Sequence, residues 1–319
     1  MDHLDFAVYR FLSADGEARF WAGRRIVDPD IPAREIAERV GVSENGVRAR
    51  LRGLSEKGYL RGREVTPNPS LFGVRVHVAE IPVQSPSDAE RVFRDLALVE
   101  GVVFARDTLD EGKRHVGVYF VSDRESTTAR RVGLLRRLAP TGEVLTVEPY
   151  WIPACERENT PLDWRLLQVI TRRPEATPAE TARSVGVSLK TTARRLRQLV
   201  ASRAVWSTHG SNSEEFPLAL IRLELRDPSD RAAVEAAVWE GAGAWMPVAH
   251  DGLGLEPEEA VREVAGLVPA DSPTAVERVV QKLSGVPGVS GVHRTFALGS
   301  RSYPAWFRDR IADHVPSRT

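Results

Sequence analysis

Apolar positions along the chain follow two rhythms, one helical and one alternating, and the two rhythms take turns. In IPAREIAERV (31–40) Ile36, Ala37 and Val40 fall on one helical face, and Gly41 ends that helix. Ser43 then stands where a helix cap belongs, and Val47, Leu51 and Leu54 follow at i, i+4 and i+7. Two short helices joined by a tight glycine-containing turn predict a helix-turn-helix. The next stretch, GYLRGREVTPNP (58–69), alternates and predicts a two-stranded wing. Beyond it VRVHVAEI (74–81), VVFARD (102–107), RHVGVYFV (114–121) and GEVLTVEPY (142–150) read as strands, with LDEG as the turn of the middle pair. SDAERVFRDLALV (87–99) and RESTTARRVGLLRRL (124–138) read as amphipathic helices between them. That order, βαββαβ, predicts a ferredoxin-like sandwich.

The same text is then written again. VGVSENGVRARLRGL (40–54) and VGVSLKTTARRLRQL (185–199) align without a gap at an offset of 145 residues. Thr177 caps PAETARSV, Gly186 makes the turn, and Ser188 caps a helix whose buried stripe is Thr192, Leu196 and Leu199. Each copy is preceded by an apolar helix carrying Leu-Asp, LDFAVYRFL in the first and PLDWRLLQVI in the second. LALIRLEL (218–225), RAAVEAAVWE (231–240), AWMPVA (244–249), VREVAGLV (261–268), TAVERVVQKL (274–283) and VSGVHRTFAL (289–298) repeat the βαββαβ order. IPACERENTP (152–161) reads as the linker between the halves. The expected fold is α+β, with tandem winged helix-turn-helix domains each followed by a ferredoxin-like βαββαβ sandwich. The boundaries are 1–68 and 69–152 for the first pair, 158–216 and 217–300 for the second, with a C-terminal helix in 301–319.

Composition narrows the class. A chain of 319 residues, 42% hydrophobic and 28% charged, is that of an ordinary globular protein of roughly two domains. No apolar run nears the roughly 20 residues of a membrane span, and MDHLDFAVYRFL carries acids where a secretory leader carries bases. With Cys155 alone, no intrachain disulfide or cysteine metal site is available, and the expected location is the cytoplasm, with no membrane partner. The seven histidines show no metal spacing, and no phosphate loop, nucleophile elbow or glutamate-histidine metal motif is present. No cofactor, no metal and no enzymatic activity are expected. His77 and His115 lie on sandwich strands, either lining an effector pocket or as ordinary strand residues.

Net charge is zero, yet its distribution is uneven. Between Ser188 and Arg203 there are five bases and no acid. Such a local basic field suits a phosphate backbone whatever the total charge. Opposite the buried stripes stand Asn45, Arg48, Ala49 and Arg52 in the first helix and Lys190, Arg194 and Arg197 in the second. The candidate DNA-contacting residues are Ser43, Glu44, Asn45, Arg48 and Arg52, and Ser188, Lys190, Arg194, Arg195 and Arg197. Arginine spans guanine O6 and N7, and asparagine pairs with adenine N6 and N7. Arg50 and Arg195 flank the stripes, where phosphate contact and packing are equally open. The first helix mixes acceptors with donors and the second offers mostly donors, so the first is expected to specify sequence and the second to clamp phosphates. In FWAGRR (20–25) the aromatics are expected in the core, and in RRVGLLRRL (130–138) the arginines are expected on a solvated or dimer-contacting face.

In motif order the chain resembles the Lrp/AsnC family of prokaryotic transcription regulators. The likeness rests on LDFAVYRFL, EIAERVGVSENGVRARLRGLSEKGYLRG and NPSLFGVRVHVAEI, and is looser over residues 160–300. It implies a double-stranded-DNA-binding head, sandwiches that assemble into a homodimer, and a small-molecule effector held by the sandwiches. Three features depart from the family pattern. Residues 13–30 lengthen the link between the first helices, the second wing AVWSTHGSNSEEF lacks Gly-x-x-x-Gly, and DTLDEG replaces the family's Thr-Gly-x-x-Asp loop. Two other functions fit the same scaffold: an Lrp-fold enzyme resembling siroheme decarboxylase, or an interaction scaffold with one head that does not bind DNA.

Overall fold

The structure, a computed structural model, describes residues 4–5, 8, 19–21, 24–26, 33–57, 63–110, 112–155, 157–209, 218–241, 246–248, 261–269 and 272–315. The chain divides into two compact units, one of residues 1–61, 106–116 and 210–300, the other of 62–105, 117–209 and 301–319.

The first unit begins with helical Leu4, Asp5 and Val8. Strands β1 (Arg19–Trp21) and β2 (Arg24–Ile26) then pair antiparallel, so the long link between the first helices contains a small hairpin. The side chains of Phe20 and Trp21, expected in the core, lie outside the described residues. Helices α1 (Ala33–Val40) and α2 (Glu44–Glu56) follow as the sequence predicts. The second βαββαβ set also belongs largely to this unit. Its strands are β9 (Leu218–Leu225), β10 (Met246–Val248), β11 (Glu263–Pro269) and β12 (Val289–Ser302), with helices α8 (Arg231–Gly241) and α9 (Pro273–Ser284) between them. The strands lie in the order β10-β11-β9-β12, the antiparallel arrangement of a ferredoxin-like fold. Ala219, Ile221, Leu223 and Leu225 alternate on β9 and bury their side chains against Val234, Val238, Val276 and Val280 of the two helices.

The second unit holds β4 (Arg75–Pro82), α3 (Pro86–Leu96), α4 (Glu125–Leu138) and β7 (Val147–Tyr150), with the start of β5 (Val102–Asp110) and the end of β6 (Lys113–Ser122), whose joined ends, 106–116, are assigned to the first unit. The order β5-β6-β4-β7 is again ferredoxin-like. Strand β5 runs through Leu109 and Asp110 and β6 starts at Lys113, so the first half of LDEG is strand.

One arginine of RRVGLLRRL differs from the other three. Arg131 is buried, its Nε donates to the Glu100 carbonyl at 2.7 Å, and its Nη1 bonds the Val121 carbonyl. Gly101 makes room for it: at φ +86° that residue needs no Cβ, and one built there would meet the guanidinium at 2.4 Å.

Of the wing expected over 58–69, the structure describes residues 63–69, and the strand there finds its partner in the other copy. Among the described residues strand β3 (Arg63–Pro67) pairs with no neighbour from its own copy. It pairs antiparallel with β8 (Val205–His209) of the second copy, with residues 58–62 and 210–217 outside the described set. Among the described residues each wing sequence supplies one short strand, and each strand gives the other a partner for its backbone groups. The register respects the repeat. Shifted by the 145-residue offset, the pair Glu64–Thr208 becomes His209–Arg63, which is itself a pair in this ribbon. That reciprocity is the signature of an isologous contact, here within one chain.

Asn68 anchors the end of the ribbon. It is 0% exposed, its Nδ2 donates to the carbonyls of Pro153 (2.9 Å) and Arg203 (2.8 Å), and its Oδ1 accepts from Ser70 N (2.9 Å). Asn68→Ala would take its side-chain bond from three backbone groups, one of those bonds buried and two part-buried. We expect it to lower the urea midpoint and to cost about 2–4 kcal/mol. An unchanged midpoint would show that the ribbon does not depend on this side chain.

Candidate nucleic-acid interface

The second head is built from α5 (Pro161–Arg172), α6 (Pro178–Val185) and α7 (Leu189–Ala201). Leu166, Leu167, Ile170, Val185 and Leu199 form its core, joined by Ile311 of α10 (Ala305–His314). The ring of Trp164 on α5 stacks on His314 at 4.3 Å, which holds α10 to the head. Thr177 and Glu180 form a reciprocal cap: Glu180 N donates to Thr177 Oγ1 at 3.2 Å, and Thr177 N donates to Glu180 Oε2 at 2.8 Å. Those bonds from Thr177, backbone first and hydroxyl second, hold the Glu180 carboxyl below its ordinary range.

The turns into the two recognition helices have one geometry. Gly41 (φ +74°) and Gly186 (φ +77°) each donate back at 2.9 Å, to the carbonyls of Ala37 and Ala182. Ser43 Oγ accepts from Gly46 N and Ser188 Oγ accepts from Thr191 N, both at 3.1 Å. Val47 and Leu54 in α2, and Thr192 and Leu199 in α7, point into their cores, while Leu51 and Leu196 are half-buried. The opposite face is therefore fixed outward in both helices. It carries exposed Asn45, Arg48 and Arg52 in α2, and exposed Lys190, Arg194 and Arg197 in α7. Ser43 and Ser188 are exposed too, but their hydroxyls are engaged as caps.

Three of the candidate arginines have partners of their own. Arg48 Nη2 lies 2.6 Å from Glu44 Oε1 across one turn of α2, with both side chains exposed. Such a pair is worth only a few tenths of a kcal/mol, so a phosphate or base edge competes with it easily. Arg197 Nε bonds the Ala193 carbonyl at 3.3 Å, which leaves the rest of its guanidinium outward. Arg195 is held otherwise. Its Nη1 lies 3.5 Å from Asp163 Oδ2, and its side chain is 24% exposed while that of Asp163 is fully buried. Arg157 from the linker bonds the same oxygen, as do Thr160 N (3.0 Å) and Thr160 Oγ1 (2.8 Å). Arg195 thus faces α5 and braces α7 from behind.

The first head repeats this brace, with Arg50 Nη1 at 2.7 Å from Asp5 Oδ1. Sequence reasoning left both arginines between packing and phosphate contact. The signal that settles their place is the Leu-Asp that opens the preceding helix in each copy, Leu4-Asp5 and Leu162-Asp163.

In the sandwich of the second unit His77 is half-buried. It shares a hydrogen bond with Ser122 Oγ at 2.9 Å and stacks on Phe120 at 5.4 Å. Burial, then the charges of Arg75 and Arg131, push its pKa below the ordinary histidine value, so it is neutral near pH 7. Among the described residues no group of three or more His, Cys, Asp or Glu is placed to hold a metal ion, and no helix is long and apolar enough to cross a membrane.

Comparison with known proteins bears on the two heads most directly. The model of a winged helix-turn-helix DNA-binding family matches the chain twice, at residues 26–61 and 160–203. Over 111 residues the chain is 27% identical to an HTH-type transcriptional regulator of Methanocaldococcus jannaschii, a match spanning 35% of this chain and 66% of that protein. Among solved structures, the siroheme decarboxylase NirDL aligns with 98% of this chain and 98% of its own, at 11% identity and a TM-score of 0.46. AsnC of E. coli aligns with 44% of this chain and 93% of its own, at 15% identity and a TM-score of 0.29. The two segments matched by the winged helix-turn-helix model fall on the two heads.

Proposed function

We propose that the chain is a sequence-specific, double-stranded-DNA-binding transcription regulator of Lrp/AsnC type that uses both heads. One observation carries this reading: two recognition helices of the same cap and turn geometry each present an outward face of hydrogen-bonding, mostly cationic side chains. Such a face matches the donor-acceptor code of the major groove and the charge of the backbone beside it. The double match to a winged helix-turn-helix family and the likeness to an archaeal transcriptional regulator support it. The contacting set is Asn45, Arg48 and Arg52 with Glu44 in the first head, and Lys190, Arg194 and Arg197 in the second. Ser43 and Ser188 cap the two helices, and Arg195 positions the second. A homodimer formed through the sandwiches, a small-molecule effector held there and a cytoplasmic location complete the proposal, and these rest on the resemblance to Lrp/AsnC regulators.

Arg52→Ala and Arg197→Ala test it. Both side chains are exposed, so the fold is expected to survive each change. Each variant should bind its preferred duplex about 5- to 150-fold more weakly, the equivalent of ~1–3 kcal/mol for a lost base-edge contact. Affinities unchanged across a salt series, in both variants, would remove the recognition helices from the interface.

A further inference from the structure

On α7, residues 189, 193 and 200 lie within about 40° of one another at 100° per residue, alongside the basic line of Lys190, Arg194 and Arg197. All three are apolar: Leu189 is 53% exposed, Val200 is 51% exposed, and Ala193 is half-buried. A single exposed leucine on a surface is ordinary. The contrast between the two heads is not. The repeat's offset places Glu44, Arg48 and Ser55 at the same helical positions of α2, where Glu44 and Arg48 form an ion pair. One surface is thus polar in the first head and apolar in the second, while caps, turns and buried stripes agree.

We propose that Leu189, with Ala193 beside it, reads the C5-methyl group of thymine in the major groove. The proposal rests on the regulator reading above. The amino-terminal residues of a recognition helix are the ones that meet base edges, and Leu189 is the first residue of α7, directly after the Ser188 cap. Thymine's methyl is the apolar feature that the major groove displays, whereas the other groups there are donors or acceptors that a leucine would leave unsatisfied. Lys190 and Arg194, on the adjoining line, supply cationic donors for phosphates at the groove edge. Val200 stands about 16 Å farther along the helix axis and takes no part. The two heads therefore read unlike half-sites, one through hydrogen bonds and one through a methyl group, and the operator is not a palindrome.

The test uses the full chain and a duplex selected by it from a random library. Each thymine in turn is replaced by deoxyuridine, which removes the methyl and keeps the pairing edge. The wild-type protein should lose about fourfold in affinity at one or two thymines confined to one half-site, the worth of one buried methyl group. Leu189→Ala should bind the thymine duplex more weakly by a similar factor and be indifferent to that same replacement. Wild-type binding that tolerates every replacement overturns the proposal, as does a Leu189→Ala protein that stays sensitive. A chain that selects no duplex at all would instead sink the regulator reading, and this inference with it.

Discussion

Replacing Lys190 and Arg194 together by alanine is expected to flatten the dependence of log affinity on log salt by about 1.8 and to weaken every duplex alike. Each phosphate neutralised by a base releases condensed counterions and contributes about 0.9 to that slope. The two side chains are exposed on one line of α7, and the stretch from Ser188 to Arg203 holds no acid to compete for them. At moderate salt the lost affinity should be about tenfold or more, largest at low ionic strength. Asn45→Ala in the first head should behave in the opposite way, leaving the slope in place and blurring the preferred sequence, because an amide side chain neutralises no charge. Should the two variants exchange these behaviours in fluorescence anisotropy across salt concentrations of roughly 50–300 mM, Asn45 would be the phosphate contact and Lys190 and Arg194 the base readers, the reverse of this assignment.

Asp163→Ala should have the largest effect on stability. The carboxylate is fully buried and is bonded by Arg157, by Thr160 and at longer range by Arg195. Its removal leaves two guanidinium groups facing a space with no counter-charge, and breaking a buried pair in this way costs about 3–5 kcal/mol. Since Arg157 comes from the linker and Arg195 from α7, the loss frees both from α5. The second head should then melt at a lower temperature and lose its share of DNA affinity. The emission of Trp164, one residue along α5, would report the transition. Asp5→Ala should cost far less, because the Asp5 and Arg50 side chains are 14% and 27% exposed and solvent screens them. Equal effects from the two aspartates would mean that burial does not set the strength of the brace.

Much of this was legible in the sequence because the repeat exposes its own constraints. The apolar periods placed both βαββαβ sets and both helix pairs, and the serine caps and glycine turns recur at matching positions in the structure. What escaped were features that depend on which strand or side chain lies nearby. Alternation in residues 58–69 shows that a strand forms there, but it carries no information on the partner, and β3 pairs with β8 of the other copy. RRVGLLRRL looked uniformly basic, yet Arg131 points inward because two carbonyls and Gly101 await it. Arg195 stayed open between packing and phosphate contact because the acid it pairs with is 32 residues away. In the candidate interface, exposure followed from the buried stripe, so most outward residues were readable. The ion pairs that subtract from them were not.

The central claim is that both recognition helices engage double-stranded DNA in a sequence-selective way. Selection from a random duplex library with the purified full chain tests this most directly, followed by affinity measurements across salt for the selected and scrambled duplexes. The account predicts an enriched, asymmetric site with two conserved parts, one lost on Arg52→Ala and the other on Arg197→Ala, and a salt slope of several units on both duplexes. No enrichment over the starting library, with affinity independent of salt, would contradict it.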